Sequence, residues 1–218
     1  MSQESTVIRS KSIEFNALMK NVYALLSIIT AIAALSAFAA TSMGMPRLPW
    51  WGVLIGFYGL LFLTEATKNS VAGLFSVATL AAFMGATLSP ILHLIAANGM
   101  GNLIVVAFGA TAVTFASLSA YAIITRKDFS KMGSFLFVGI LVAFLMGIGS
   151  IVFNIPAMGL AVSAVFVLLM SGLVLYETSG MIHNPNQNYI SVTVGLFVAI
   201  YNLFTSLLHL LMAFSGDD

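Results

Sequence analysis

The sequence predicts an all-α membrane protein, seven transmembrane helices in a bundle with the seventh helix central. Three observations carry that prediction. Of 218 residues, 60% are apolar and only 7% charged, whereas ordinary globular domains carry about a quarter charged residues. The apolar residues fall into seven long runs divided by short charged or turn-forming breaks. The last run places its small and polar residues on one helical face.

A bilayer's hydrocarbon core is about 30 Å thick, so a helix rising about 1.5 Å per residue crosses it in roughly 20 residues. The runs 22–42, 50–66, 71–96, 102–124, 133–153, 157–176 and 189–213 meet that need. Backbone polar groups in lipid must be satisfied within the segment, which makes such runs helices. The alternating pattern of a membrane β-barrel does not occur.

Each run has its own features. The first follows a polar arm with Arg9, Lys11 and Lys20, carries Ala33 and Ala37 one turn apart, and stops at GMPRLP (44–49). The second opens on Trp50 and Trp51, residues suited to the membrane interface, and ends at EATKNS (65–70). In the third, Pro90 removes a backbone donor and predicts a kink. It ends at NGMG (98–101).

The fourth run spaces Ala112, Ala116 and Ala120 at helical intervals, with Gly109, Thr111 and Thr114 nearby, before TRKDFSKM (125–132). Lipid gives helices no hydrophobic reason to meet, so small residues of this kind predict close helix packing. The fifth run ends at NIP (154–156) and the sixth at ETSGMIHNPNQN (177–188). In the seventh, Gly195, Ala199, Asn202, Ser206 and His209 form one stripe. Leu196, Phe197, Val198, Leu203, Phe204, Leu207 and Leu208 occupy the other faces. The stripe predicts a helix packed deep in the bundle.

The expected organisation is a flexible N-terminal arm over 1–20, the helical bundle over 21–214 and a short tail over 215–218. Arg9, Lys11, Lys20, Lys68, Arg126, Lys127 and Lys131 fall on one side of the membrane and Arg47 alone on the other. The positive-inside rule then puts the N-terminus in the cytoplasm and the C-terminus in the periplasm. Lys20, the apolar run after it and Ala37-Phe38-Ala39 also resemble a signal peptide with its cleavage site. The length of the arm and of the run favours a retained span.

Few residues offer chemistry. Cysteine is absent, which excludes disulfides and thiolate metal sites. His93, His183 and His209 lack metal-ligand spacing and no HExxH motif occurs, so no metal is expected. Phosphate-binding glycine fingerprints are missing, and no cofactor is expected. The aspartates, Asp128, Asp217 and Asp218, lie in a loop and at the tail, which excludes an intramembrane aspartic dyad. No basic patch with interleaved aromatics suggests nucleic acid. No catalytic residue is assigned.

Ionisable groups within membrane spans are functional candidates because burying them is costly. Glu177, at the inner end of the sixth run, reads either as a carboxylate where an apolar helix meets water or as a group in an ion pathway. Asn202 and His209 are the other pathway candidates, and Lys68 and Arg126 are candidate charge partners of Glu177.

GLFSVATLAAFMGATLSPIL (73–92) and AFGATAVTF (107–115) resemble the signature of the Bax-inhibitor, or transmembrane Bax inhibitor motif, family. Matching positions include Gly73, Ser76, Pro90, Leu92, Ala107, Thr111, Ala112 and Phe115. The likeness continues through 119–133, 160–183 and 188–208 and is nearest to the bacterial YccA-like branch. The resemblance implies a seven-helix protein of the bacterial inner membrane with the last helix central. For this branch it also implies an association with the membrane-anchored ATP-dependent protease FtsH, with the arm as the expected contact. In calcium-leak members, a carboxylate ending the sixth helix faces an aspartate in the seventh. Glu177 aligns with the first, but Ala199 stands where the second would be. Calcium or proton passage is therefore the alternative expectation, weakened by an incomplete acid pair.

Overall fold

The computed structural model describes residues 2–215, with side chains from residue 13 onward. The expected tail over 215–218 thus lies almost wholly outside the described residues. Eight α-helices occur among them: α1 (Ser2–Ser42), α2 (Trp50–Thr67), α3 (Val71–Thr87), α4 (Ser89–Ala97), α5 (Gly101–Thr125), α6 (Gly133–Val152), α7 (Pro156–His183) and α8 (Tyr189–Ser215). A 3₁₀ turn, Ser130–Met132, precedes α6. These form seven segments long and apolar enough to cross a membrane, α3 and α4 together making the third. All seven expected runs are present.

The chain divides into two compact units, residues 1–101 with 185–197, and residues 102–184 with 198–218. In the first unit, α1 and α2 both pack on α3. The buried face of α1 reads Leu18, Val22, Leu26, Ile29, Ala33, Ala37 and Ala40, a repeat of three and four residues that forms one stripe on a helix. Ala33 approaches α3 so closely that a Cβ on Gly85 would fall on the Ala33 backbone. Ser36 adds a hydrogen bond to the Ala82 carbonyl at 2.6 Å.

Three sequence expectations change locally. Residues 2–20, expected as a flexible arm, have a helical backbone continuous with the first span; no glycine or proline precedes Gly44 to interrupt it. The kink at Pro90 is a full break. Helix α3 stops at Thr87, Leu88 joins the two pieces and Pro90 sits in the first turn of α4, where a missing N–H costs nothing. In α5 the alanine seam faces outward: Ala112, Ala116 and Ala120 are exposed, and the buried face is Leu103, Ala107, Thr111, Ser119 and Ala122. The two faces carry similarly small residues, so spacing alone could not choose between them.

In the second unit, α6 packs on α7. Leu136, Ala143, Leu169, Met170, Val174, Ala199 and Leu203 form its apolar core. Close contact is set by glycines: a Cβ on Gly172 would lie 2.8 Å from Leu136 Cδ2, and one on Gly139 2.8 Å from Leu169 Cδ2.

The last helix has no exposed residue between positions 189 and 213. Its expected stripe is buried at Ala199 and Ser206 and half-buried at Gly195, Asn202 and His209. Leu196, Phe197, Leu203 and Leu208, on other faces, are buried as well. Burial on this helix therefore extends to more faces than the one stripe predicted.

Candidate functional site

Glu177 was expected at the end of a helix, but α7 continues through Thr178–His183 before Pro185 prevents further extension. Its carboxylate is half-buried. Helical spacing puts it on the same face as Met170, Val174 and Met181, all fully buried. Glu177 makes no hydrogen bond or ion pair among the described residues. Of its expected partners, Lys68 pairs with Glu65 instead. Arg126 holds a left-handed backbone, φ +50°, and forms no ion pair among the described residues.

Asn202 turns inward on its own helix, its Nδ2 donating to the Val198 carbonyl at 2.9 Å. His209 Nδ1 lies 2.8 Å from Ser163 Oγ of α7, and Ser163 also bonds the Gly159 carbonyl at 3.0 Å. A hydroxyl has one proton to give; with Ser163 donating to Gly159, His209 donates through Nδ1. No hydrogen bond or ion pair among the described residues joins Glu177, Asn202 and His209 to one another. Ala199 is fully buried within the apolar core of the second unit, together with Val174 and Leu203. The position that would hold a second acid is therefore a packing position. No group of three or more potential metal-ligating side chains occurs among the described residues.

Two polar clusters escaped the sequence reading. In the first unit, Asn188 caps α8: its Oδ1 accepts the Ile190 N–H at 2.9 Å, and its Nδ2 donates to the Lys68 carbonyl at 3.1 Å and Asn69 Oδ1 at 2.9 Å. Ser191 donates to Glu65 Oε2 at 3.0 Å. The start of α8 is thus tied to the turn between α2 and α3. Asparagine just ahead of an apolar run is a capping signal, so this cluster was partly legible.

In the second unit, buried Ser179 donates to the Lys127 carbonyl and accepts the Phe129 N–H, both at 3.0 Å. It anchors the loop between α5 and α6. Asp128 in that loop accepts the Ser130 N–H at 2.8 Å, and the bond holds its carboxyl below the ordinary carboxylate range. No local signal marks Ser179, because its partners lie far away in sequence.

The family model described as inhibitor of apoptosis-promoting Bax1 matches residues 15–216. The chain belongs to this family. Among similar proteins, "Modulator of FtsH protease YccA" of Escherichia coli strain K12 is 41% identical over 96% of this chain and 95% of its own length. An uncharacterized protein of Pseudomonas aeruginosa is 44% identical over 94% of this chain and 93% of its own. An uncharacterized membrane protein of Vibrio cholerae is 34% identical over 95% of this chain and 94% of its own. As a Bax1-inhibitor family member with seven apolar helices of spanning length, the chain is a membrane protein.

Proposed function

We propose that the protein is a non-catalytic regulator in the bacterial inner membrane that binds and modulates the membrane-anchored ATP-dependent protease FtsH. The observation that carries this reading is the near full-length similarity to the Escherichia coli protein named for that role. The bias of Lys and Arg toward one side of the spans supports a cytoplasmic N-terminus and a periplasmic C-terminus. Residues 1–20 are the segment through which we propose the protease is engaged, since proteolytic access concentrates at chain ends. Deleting residues 2–18 is expected to abolish competition for the protease while the bundle still purifies intact. Unchanged inhibition by the shortened protein would remove the arm from the proposal.

A second reading is a pH-sensitive leak for calcium or protons, with Glu177, Asn202 and His209 along its path. A half-buried carboxylate lacking a partner among the described residues favours it, and apolar packing around Ala199 weighs against it. Liposomes carrying the protein and a calcium dye distinguish the readings. Flux equal to that of empty liposomes from about pH 5 to about pH 8, or flux unchanged by Glu177→Gln, rejects the leak.

A further inference from the structure

The loop between α5 and α6 carries Arg126, Lys127, Asp128 and Lys131. None of the three cations forms an ion pair among the described residues. The carboxylate of Asp128 is occupied by Ser130, so the loop presents a net positive charge of two, three cations less one anion. Its shape is set from within the second unit. Ser179 bonds it at two points, and Arg126 makes the turn out of α5 with a left-handed backbone.

Beside this loop lies an open cleft of about 400 Å³, lined by Ser130, Gly133, Ser134, Phe137, Val138 and Tyr176. Three of these residues, Ser130, Ser134 and Tyr176, carry a hydroxyl. Phe137 and Val138 continue down α6 and are exposed, on a helix apolar enough to span the bilayer. At the end of α5, Ile124 is 80% exposed. Lys127 Nζ bonds Tyr121 Oη at 3.1 Å and lies 5.7 Å from the ring centre, an arrangement suited to the boundary between apolar and polar zones. The cleft therefore has a polar end at Ser130, next in sequence to Lys131, and an exposed apolar wall at Phe137 and Val138.

We propose that this cleft binds an anionic phospholipid, with the headgroup phosphate at Ser134 and Lys131 and an acyl chain along Phe137 and Val138. Arg126 and Lys127 supply further attraction. Charge complementarity selects an anionic over a zwitterionic headgroup, and the apolar wall selects a lipid over a free phosphate or an acidic peptide. Charges serving only to orient the chain during insertion would need neither the anchored loop nor the cleft.

The test uses the full chain, purified in mild non-ionic detergent and titrated with phosphatidylglycerol or phosphatidylcholine while bound lipid is counted by native mass spectrometry. Phosphatidylglycerol is expected to bind at least about tenfold more tightly, with each cation worth about fivefold. The triple variant R126Q, K127Q and K131Q should lose the preference, and Lys20→Gln should keep it. Val138→Trp fills the cleft at constant charge and should weaken phosphatidylglycerol binding severalfold with unfolding temperature unchanged. Should the triple variant not fold, Lys131→Gln alone provides the comparison. Equal binding of the two lipids, a preference surviving loss of the cations, or displacement by inorganic phosphate or polyglutamate at the lipid's own concentration would each overturn the proposal.

Discussion

Ser179 Oγ accepts the backbone N–H of Phe129 at 3.0 Å while donating to the Lys127 carbonyl. One buried hydroxyl on α7 therefore satisfies two main-chain groups of the loop ahead of α6. Replacing Ser179 by alanine leaves both without that partner, at a cost of about 1–3 kcal/mol. Unfolding of the detergent-solubilised variant should show the loss, and protease cleavage in the loop after α5 should accelerate. A variant as stable and as resistant as the parent would mean that the clasp contributes nothing.

Gly85 and Gly109 make a matched comparison. A side chain at Gly85 meets the Ala33 backbone, which can yield only if α1 and α3 separate, whereas one at Gly109 meets nothing within 4 Å. Gly85→Ala should destabilise the first unit by about 1–3 kcal/mol. Gly109→Ala should be neutral or slightly stabilising, because alanine favours helix. Equal effects of the two substitutions in thermal unfolding would contradict the close approach.

Asn188 both caps α8 and holds the turn at Lys68 and Asn69. Its replacement by alanine is expected to cost about 1–2 kcal/mol through the lost cap. Hydrogen exchange should rise at the Ile190 amide and remain unchanged at the far end of α8. Uniform exchange along the whole helix would argue against a local capping role.

Asp128 predicts a direction with pH. The Ser130 hydrogen bond holds its folded-state carboxyl below the usual value. Its contribution to loop order is therefore present above the unfolded carboxylate range and lost as pH falls through the lower, folded value. A carbon-detected titration of Asp128 should place its midpoint below that of a free aspartate, and Ser130→Pro, which removes the donor, should raise it. A midpoint unaffected by that substitution would remove the assigned cause.

Leu203 is fully buried among Met170, Val174 and Ala199. Leu203→Ala should open a cavity and cost about 2–5 kcal/mol. The same substitution at exposed Leu168 should be nearly silent in the same unfolding measurement. Similar losses at both positions would show that Leu203 is not packed as described.

Much of the architecture was legible because lipid simplifies the code. A long apolar run has few alternatives to helix, so all seven spans were found from length and composition. Pro90 also declared itself, although the chain breaks there rather than bends. The alanines of α5 misled because spacing identifies a face without saying what covers it. At the candidate site, Glu177 was visible as a carboxylate in an apolar context, but its place within rather than at the end of a helix was not.

By itself, the sequence determined the number of spans, the scarcity of ionisable groups within them and the absence of thiol chemistry, since these follow from residue type and run length. Only the tertiary structure decided that Ser191 donates to Glu65, that Ser179 anchors the basic loop and that Ala199 is enclosed by apolar side chains. The physical reason is range: a helix needs only its own residues to satisfy its backbone, whereas these contacts depend on groups far apart in sequence meeting within a few ångströms.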